Sequence, residues 1–299
     1  MVIVVHGGLA EGEFLASDAL LRACEVAKEA MKGKEAIEGV ESAVKVLEDD
    51  PRLNAGTGSF PNLLGEIEMS AGVMKDDYSC GGVAAIKNIK NPISVARAVM
   101  EQTRHILLVG EGANLFAHLL GFEPYDPRAE LTIKTWKESL HKAEEEKRPI
   151  YRYYLEKAQE KLQETHWGTV GAVTKDEKGG LAAGTSTGGV KVQLPGRVGD
   201  SPIVGCGTFA CPWGAVSMTG EGEEIMRWGM ARRIGEWMEE VSAQEAVNRG
   251  MEIALEKKIP CGVIAISKHG EIGWGANGGA LPLAYWKEGM EKPLFMLVD

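Results

Sequence analysis

The chain has 299 residues, 44% of them hydrophobic and 25% charged, which is enough apolar content for one large core or two modest ones and excludes wholesale disorder. A formal charge of −10 is the wrong sign for a sequence-independent grip on phosphate backbones, so nucleic acid is not an expected partner. No stretch approaches the ~18 apolar residues of a membrane span, Met1 to Gly8 is too short for a signal-peptide core, and a cytoplasmic location is expected.

In chain order, Val2 to Val5 is a β-branched run that stops at His6-Gly7-Gly8, as a buried strand does before a tight backbone turn. Two amphipathic helices follow, one marked by Leu20, Leu21, Cys24, Ala27 and Met31, the next by Ile37, Val40, Val44 and Leu47 before Asp49-Asp50-Pro51 ends it. Leu53 to Asn62 is too rich in Gly and Asn for regular structure and reads as a shaped loop. Short strands of small and β-branched residues are expected at Gly82 to Ile86, Val170 to Thr174, Leu181 to Ser186, Val263 to Ser267 and Glu271 to Gly275, the last four forming two hairpins. Helices are expected at Pro92 to Glu101, Gly112 to Leu120, Glu223 to Val241 and Ala243 to Lys257, with Ser242-x-x-Glu245 as a capping box for the last. Cys24, Cys80, Cys206, Cys211 and Cys261 are scattered and odd in number, so reduced thiols are expected rather than a disulfide framework or a zinc site. Sheets packed together and covered by helices follow from this pattern.

One stretch departs from it. From about residue 128 to 168 the chain is dense in Lys and Glu, either a solvated helix or a mobile linker. It ends at His166-Trp-Gly-Thr169, where the composition turns at once into buried strand. A lone Gly-Thr most often just opens a strand. Here the charged tether suggests a scissile bond before Thr169. Threonine is a weak nucleophile, but an N-terminal threonine carries its own base, since the α-amine has a reference pKa of ~7.7–8.0 and reaches its own Oγ. That amine exists only once the bond to Gly168 is broken. Further on, Arg197 and Asp200 stand three apart in a Gly-flanked loop; a guanidinium fork for an α-carboxylate and a carboxylate for an α-ammonium would together read an amino-acid zwitterion. Thr219-Gly220-Glu-Gly222 precedes a helix, whose free N–H groups suit a developing oxyanion.

Gly168-Thr-Val-Gly171, Thr185-Ser-Thr-Gly-Gly189, Gly196-Arg-Val-Gly-Asp-Ser-Pro202 and Thr219-Gly220, together with His6-Gly-Gly8, Leu47-Glu-Asp-Asp-Pro51 and Leu53-Asn-Ala-Gly56, resemble the plant-type L-asparaginase and isoaspartyl aminopeptidase family of N-terminal-nucleophile hydrolases. The resemblance implies an α+β fold, a four-layer αββα sandwich of two antiparallel sheets between helical layers. It implies self-cleavage of one domain into an α subunit, 1–168, and a β subunit, 169–299, and a homodimer of such pairs, (αβ)2. Thr169 is then nucleophile and base, Thr187 tunes it, Thr219 with the Gly220 amide forms the oxyanion hole, and Asn54 positions the amine. Arg197 and Asp200 hold the substrate, with Gly189 and Gly222 in close backbone contact. The implied reaction is hydrolysis of the asparagine side-chain amide and of β-aspartyl peptide bonds through an acyl-enzyme on Thr169. No cofactor is implied for catalysis, but a structural sodium ion is, held by the backbone carbonyls of Leu47, Glu48, Asp50, Leu53, Ala55 and Thr57. The alternatives are a glycosylasparaginase-like enzyme, against which Gly168 argues because that group typically carries Asp there, a threonine endopeptidase, or an uncleaved non-catalytic binding protein. Ser59-Phe-Pro-Asn62 and Ala276-Asn-Gly-Gly-Ala280 depart from the family's usual spelling.

Overall fold

Val2–His6 (β1) is buried along its whole length because it runs inside a sheet with a strand on either side, as an unbroken β-branched run requires. The computed structural model describes residues 1–10, 14–134, 136 and 168–299. After β1 come the helices Ser17–Ala30 (α1) and Ala36–Glu48 (α2), the hairpin Met69–Lys75 (β2) and Cys80–Ile86 (β3), then Pro92–Gln102 (α3), Leu107–Val109 (β4) and Gly110–Leu119 (α4). Beyond the tether lie Val170–Lys175 (β5), Leu181–Thr187 (β6), Thr208–Cys211 (β7), Gly214–Gly220 (β8), Gly222–Trp228 (α5), Met230–Trp237 (α6), Ala243–Lys257 (α7), Cys261–Ser267 (β9), Ile272–Asn277 (β10), Leu281–Lys287 (β11) and Leu294–Val298 (β12).

Eight strands form one sheet in the order β12-β11-β1-β5-β6-β2-β3-β4, and four form a second in the order β10-β9-β8-β7. All pairings are antiparallel except β3 with β4. That pair closes the edge of the larger sheet: α3 lies between these strands in sequence and carries the chain back across the sheet, as a parallel pair demands. Alternation along β1 sets the layers. Ile3 and Val5 pack with Leu20, Val40 and Val44 of α1 and α2, while Val2 and Val4 point the other way, into the cluster holding Val173, Val216 and Ile264. The far side of the four-stranded sheet is covered by Ile234 of α6 and Val247 and Met251 of α7. Four layers result, helices outside and sheets inside.

Ser242 accepts a hydrogen bond from Glu245 N at the start of α7, the cap foreseen from the sequence. The single helix expected over Glu223 to Val241 is instead two, because Gly229 adopts the left-handed conformation (φ 55°) and ends α5. Residues 130–134 are helical, whereas the rest of the expectation for the charged tether, 137–167, falls outside the described residues. All five cysteines are unpaired. No helix among the described residues is long and apolar enough to cross a membrane.

Candidate active site

A recess opens where the ends of β6 and β8 and the segment leading into β5 converge, lined by Gly168, Thr169, Thr187, Gly189, Arg197, Asp200, Thr219 and Gly220 among others, with about 320 Å³ inside it, its open mouth included. Thr169 stands immediately before β5 and Thr187 is the last residue of β6, neighbouring strands whose register pairs Val170 with Ser186. Register alone therefore brings the two threonines side by side. The Thr169 hydroxyl donates to Thr187 Oγ1 at 3.1 Å, and that oxygen also accepts the Gly189 N–H at 3.0 Å.

Asn54 does not touch Thr169 directly through any hydrogen bond. Its Nδ2 donates to Gly189 O at 2.6 Å, its Oδ1 accepts Phe60 N at 3.0 Å, and its backbone carbonyl accepts Gly188 N at 2.9 Å. It thus pins the Gly188-Gly189 turn that holds Thr187, while its Cβ lies 3.4 Å from where a Cβ on Gly168 would stand. The turn after β1 covers the same bond. Gly8 has φ 95°, and a Cβ there would sit 2.5 Å from Gly168 Cα and 2.9 Å from Thr169 N, so only glycine allows this approach.

Thr219 is the penultimate residue of β8 rather than a helix cap. Glu221 occupies the cap position of α5 without a side-chain hydrogen bond, and Thr219 Oγ1 accepts the Leu9 N–H at 3.4 Å. Gly220 follows at φ 133°, and with Gly222 opens the helix toward the recess. A Cβ on Gly222 would meet Asp200 Oδ1 at 2.8 Å and Arg197 Nη2 at 3.1 Å, so the bare helix start is what lets both clamp residues close in.

Arg197 and Asp200 do not pair with each other. The Arg197 guanidinium is gripped side-on by Glu223, with Nε to Oε1 at 2.9 Å and Nη2 to Oε2 at 2.7 Å. This leaves the end-on edge of the fork, Nη1 and the second N–H of Nη2, for a carboxylate. Glu223 was not singled out from the sequence, where its only signal is its place in the first turn after Thr219-Gly220. Asp200 is buried, its Oδ2 has no hydrogen-bond partner, and burial pushes its carboxyl up to about 7 against the opposing pull of its own backbone N–H and Arg197. An orphaned buried carboxylate oxygen normally costs free energy. An ammonium ligand is the partner its charge calls for.

The six carbonyls expected to hold a cation lie on the last residues of α2 and the tight loop that follows it. Asp50 N donates to Leu47 O, Leu53 N to Asp50 O, Ala55 N to Leu53 O and Gly58 N to Ala55 O, at 3.0 to 3.3 Å. Each of these oxygens keeps a second lone pair. Cβ atoms on Gly56 and Gly58 would stand 2.3 Å from Glu48 O and 1.9 Å from Leu53 O, so the loop is drawn in around its own oxygens. The Glu48 carboxylate fastens it to β6, accepting from Ser186 Oγ at 2.6 Å and from Ile93 N at 3.0 Å. The segment Ala276 to Ala280 lies outside the recess lining, with Ala280 bridging to Ala10 and Asn277 Nδ2 bonding Ile259 O at 2.7 Å.

Comparison with known proteins agrees along the whole chain. Residues 1–295 match the family described as asparaginase. The chain is 40% identical to the plant-type L-asparaginase of Pyrococcus horikoshii over 98% of each chain. It is 39% identical to that of Thermococcus kodakarensis over 97% of this chain and 98% of the relative. The isoaspartyl peptidase/L-asparaginase of Bos taurus is 40% identical over 96% of this chain and 94% of its own.

Proposed function

We propose, from the premise that this chain belongs to the asparaginase family, that it is a hydrolase which releases ammonia and L-aspartate from L-asparagine and cleaves β-aspartyl peptide bonds. The observation that carries the reading is the Thr169–Thr187 hydroxyl contact of 3.1 Å in one recess with Arg197, Asp200, Thr219 and Gly220.

The chain first cuts itself. Thr169 Oγ attacks the Gly168 carbonyl, held under the Gly8 turn; the resulting ester is hydrolysed, giving fragments 1–168 and 169–299 and a free α-amine on Thr169. That amine then takes the hydroxyl proton when Thr169 Oγ attacks the side-chain carbonyl of the substrate. Asn54, through the Gly188-Gly189 turn, keeps Thr187 in place against the nucleophile. Charge developing on the carbonyl oxygen meets the Thr219 hydroxyl and the Gly220 N–H. Arg197 takes the α-carboxylate on its end-on edge and the Asp200 carboxylate the α-ammonium, so the part common to asparagine and β-aspartyl peptides is read and the leaving group is not. Ammonia or an amine departs, and water releases aspartate from the Thr169 ester.

The oxygen-rich loop Leu47 to Thr57 fits a hard cation such as sodium, in a structural role: Glu48 ties that loop to Ser186, next to Thr187. We also propose a homodimer of cleaved pairs and, since all five thiols are unpaired, a reducing cytoplasmic setting. Intact mass of the purified protein, paired with ammonia and aspartate release from asparagine and a β-aspartyl dipeptide, tests the reading. A chain that stays whole on prolonged incubation, or full activity in Thr169→Ala, sinks it.

A further inference from the structure

His6 is the one histidine among the described residues that packing has taken wholly out of solvent, and nothing in the reaction above uses it. Its ring sits between the two sheets, directly beneath the recess. Gly8 N donates to Nδ1 at 3.3 Å, and a backbone N–H can only donate, so Nδ1 carries the lone pair and Nε2 the proton. Nε2 then donates to Ser217 Oγ at 3.0 Å, Ser217 Oγ to Thr185 Oγ1 at 2.7 Å, and Thr185 Oγ1 to Gly207 O at 3.1 Å. The backbone of Thr169 also lies within hydrogen-bond reach of the ring, but burial dominates and pushes the imidazole down to about 3, so it stays neutral.

Every link in this chain stands beside a residue of the recess. Gly8 covers the Gly168–Thr169 bond; Ser217 is two residues before Thr219 on β8, hence on the same face of the strand; Thr185 is two residues before Thr187 on β6. Gly207 lies behind the clamp, since a Cβ on it would be 2.5 Å from Asp200 Oδ2. Room for the ring comes from Gly171, which faces His6 across β1 and β5. A Cβ at Gly171 would fall 2.0 Å from Ser217 Oγ and 2.4 Å from His6 Nε2. The glycine of Gly168-Thr-Val-Gly171 is therefore required by a contact and not by a turn.

We propose that His6 is a positioning residue, which through Gly8 on one side and Ser217 on the other sets the distance between the Gly168–Thr169 bond and the strand end carrying Thr219 and Gly220. This rests on the roles proposed above for Thr169, Thr219 and Gly220. The two sides of the ring serve two steps. Nδ1 shapes the turn that holds the bond to be cut. Nε2 holds the oxyanion strand against the nucleophile for turnover.

Side-chain amides separate the two. An Asn oxygen reaches where Nδ1 stands and a Gln nitrogen where Nε2 stands, so His6→Asn keeps the Gly8 acceptor and His6→Gln keeps the donor to Ser217. Full-length wild type, His6→Asn, His6→Gln and Ser217→Ala are compared by denaturing gel for the rate of cutting, by ammonia release for kcat and KM with asparagine, and by urea midpoint. His6→Asn and Ser217→Ala are expected to cut at the wild-type rate yet lose roughly tenfold or more in kcat with KM within about threefold, the size a small misplacement of reacting groups produces. His6→Gln is expected to cut about tenfold more slowly or worse. The proposal is overturned if kcat in His6→Asn and Ser217→Ala stays within about twofold of wild type, if KM rises in place of the fall in kcat, or if every loss merely follows a lowered urea midpoint. If wild type cuts itself but turns over neither asparagine nor a β-aspartyl dipeptide, the proposed function has failed instead, and the cutting rates of His6→Gln and His6→Asn decide the matter for His6.

Discussion

On the nucleophile side of the recess the polar side chains already have protein partners: Thr169 on Thr187, Thr187 on Gly189 N, Asn54 on Gly189 and Phe60, His6 on Gly8 and Ser217. On the clamp side Asp200 Oδ2 is buried with no partner, and Arg197 is fixed along one edge only. One wall is complete without a ligand and the other is completed by one. On the proposed reaction the nucleophile must be in place before substrate arrives, because the same group would perform the earlier cut. A binding group that satisfied itself internally would have to break that bond to bind.

Substitutions should divide along this line. Thr169→Ala is expected to abolish both cutting and turnover, a loss of at least about 10⁴-fold in kcat, read by intact mass and ammonia release. Thr219→Ala removes one oxyanion donor and should lower kcat by about 10²-fold with little change in KM. Arg197→Lys belongs to the other wall. It keeps the charge but not the fork, so KM should rise about 30-fold, as the loss of a charge-assisted bond worth about 2 kcal/mol implies, while cutting stays complete. An Arg197→Lys chain that failed to cut itself would break the division.

Asp200 gives the comparison a pH dependence. Its folded value of about 7 lies above the ordinary 3.8, so the proton is held more tightly in the folded chain. The stability this brings is full below about 4 and is lost as pH rises through about 7. Binding an ammonium needs the ionised form, so KM for asparagine should fall as pH rises from 6 to 8. Asp200→Asn should bind poorly without that slope, yet resist urea better than wild type at pH 8. The smallest effect concerns the oxygen-rich loop: exchanging sodium for a large organic cation should lower the thermal midpoint by a few degrees at most, with kcat little changed.

Much of the nucleophile wall was legible in the residues, because Thr169 and Thr187 end up adjacent through the register of a hairpin whose two strands both read as strands. The capping box of α7 was legible for the same local reason. β2, β8 and β11 were not, since strands such as Gly-Ala-Val-Ser-Met-Thr-Gly are buried on both faces and show no alternation to separate them from loop. The break at Gly229 hid inside an amphipathic pattern that continues on both sides of it. Glu223 and Ser217 act through partners 26 and 211 residues away in sequence, a separation that no local pattern can encode.

The strand order carries one more consequence. In β11-β1-β5-β6-β2 the ribbons before and after Thr169 are interleaved: β1 lies between two strands of the later fragment, and β5 and β6 between two of the earlier one. A cut chain of this kind is a braid, not a hinge. Three of the four ladders in that run join one fragment to the other, so the fragments should leave a column together, melt in one step, and separate only in denaturant. The new terminus at Thr169 would thus be freed chemically while the frame that aims it stays fastened from both sides.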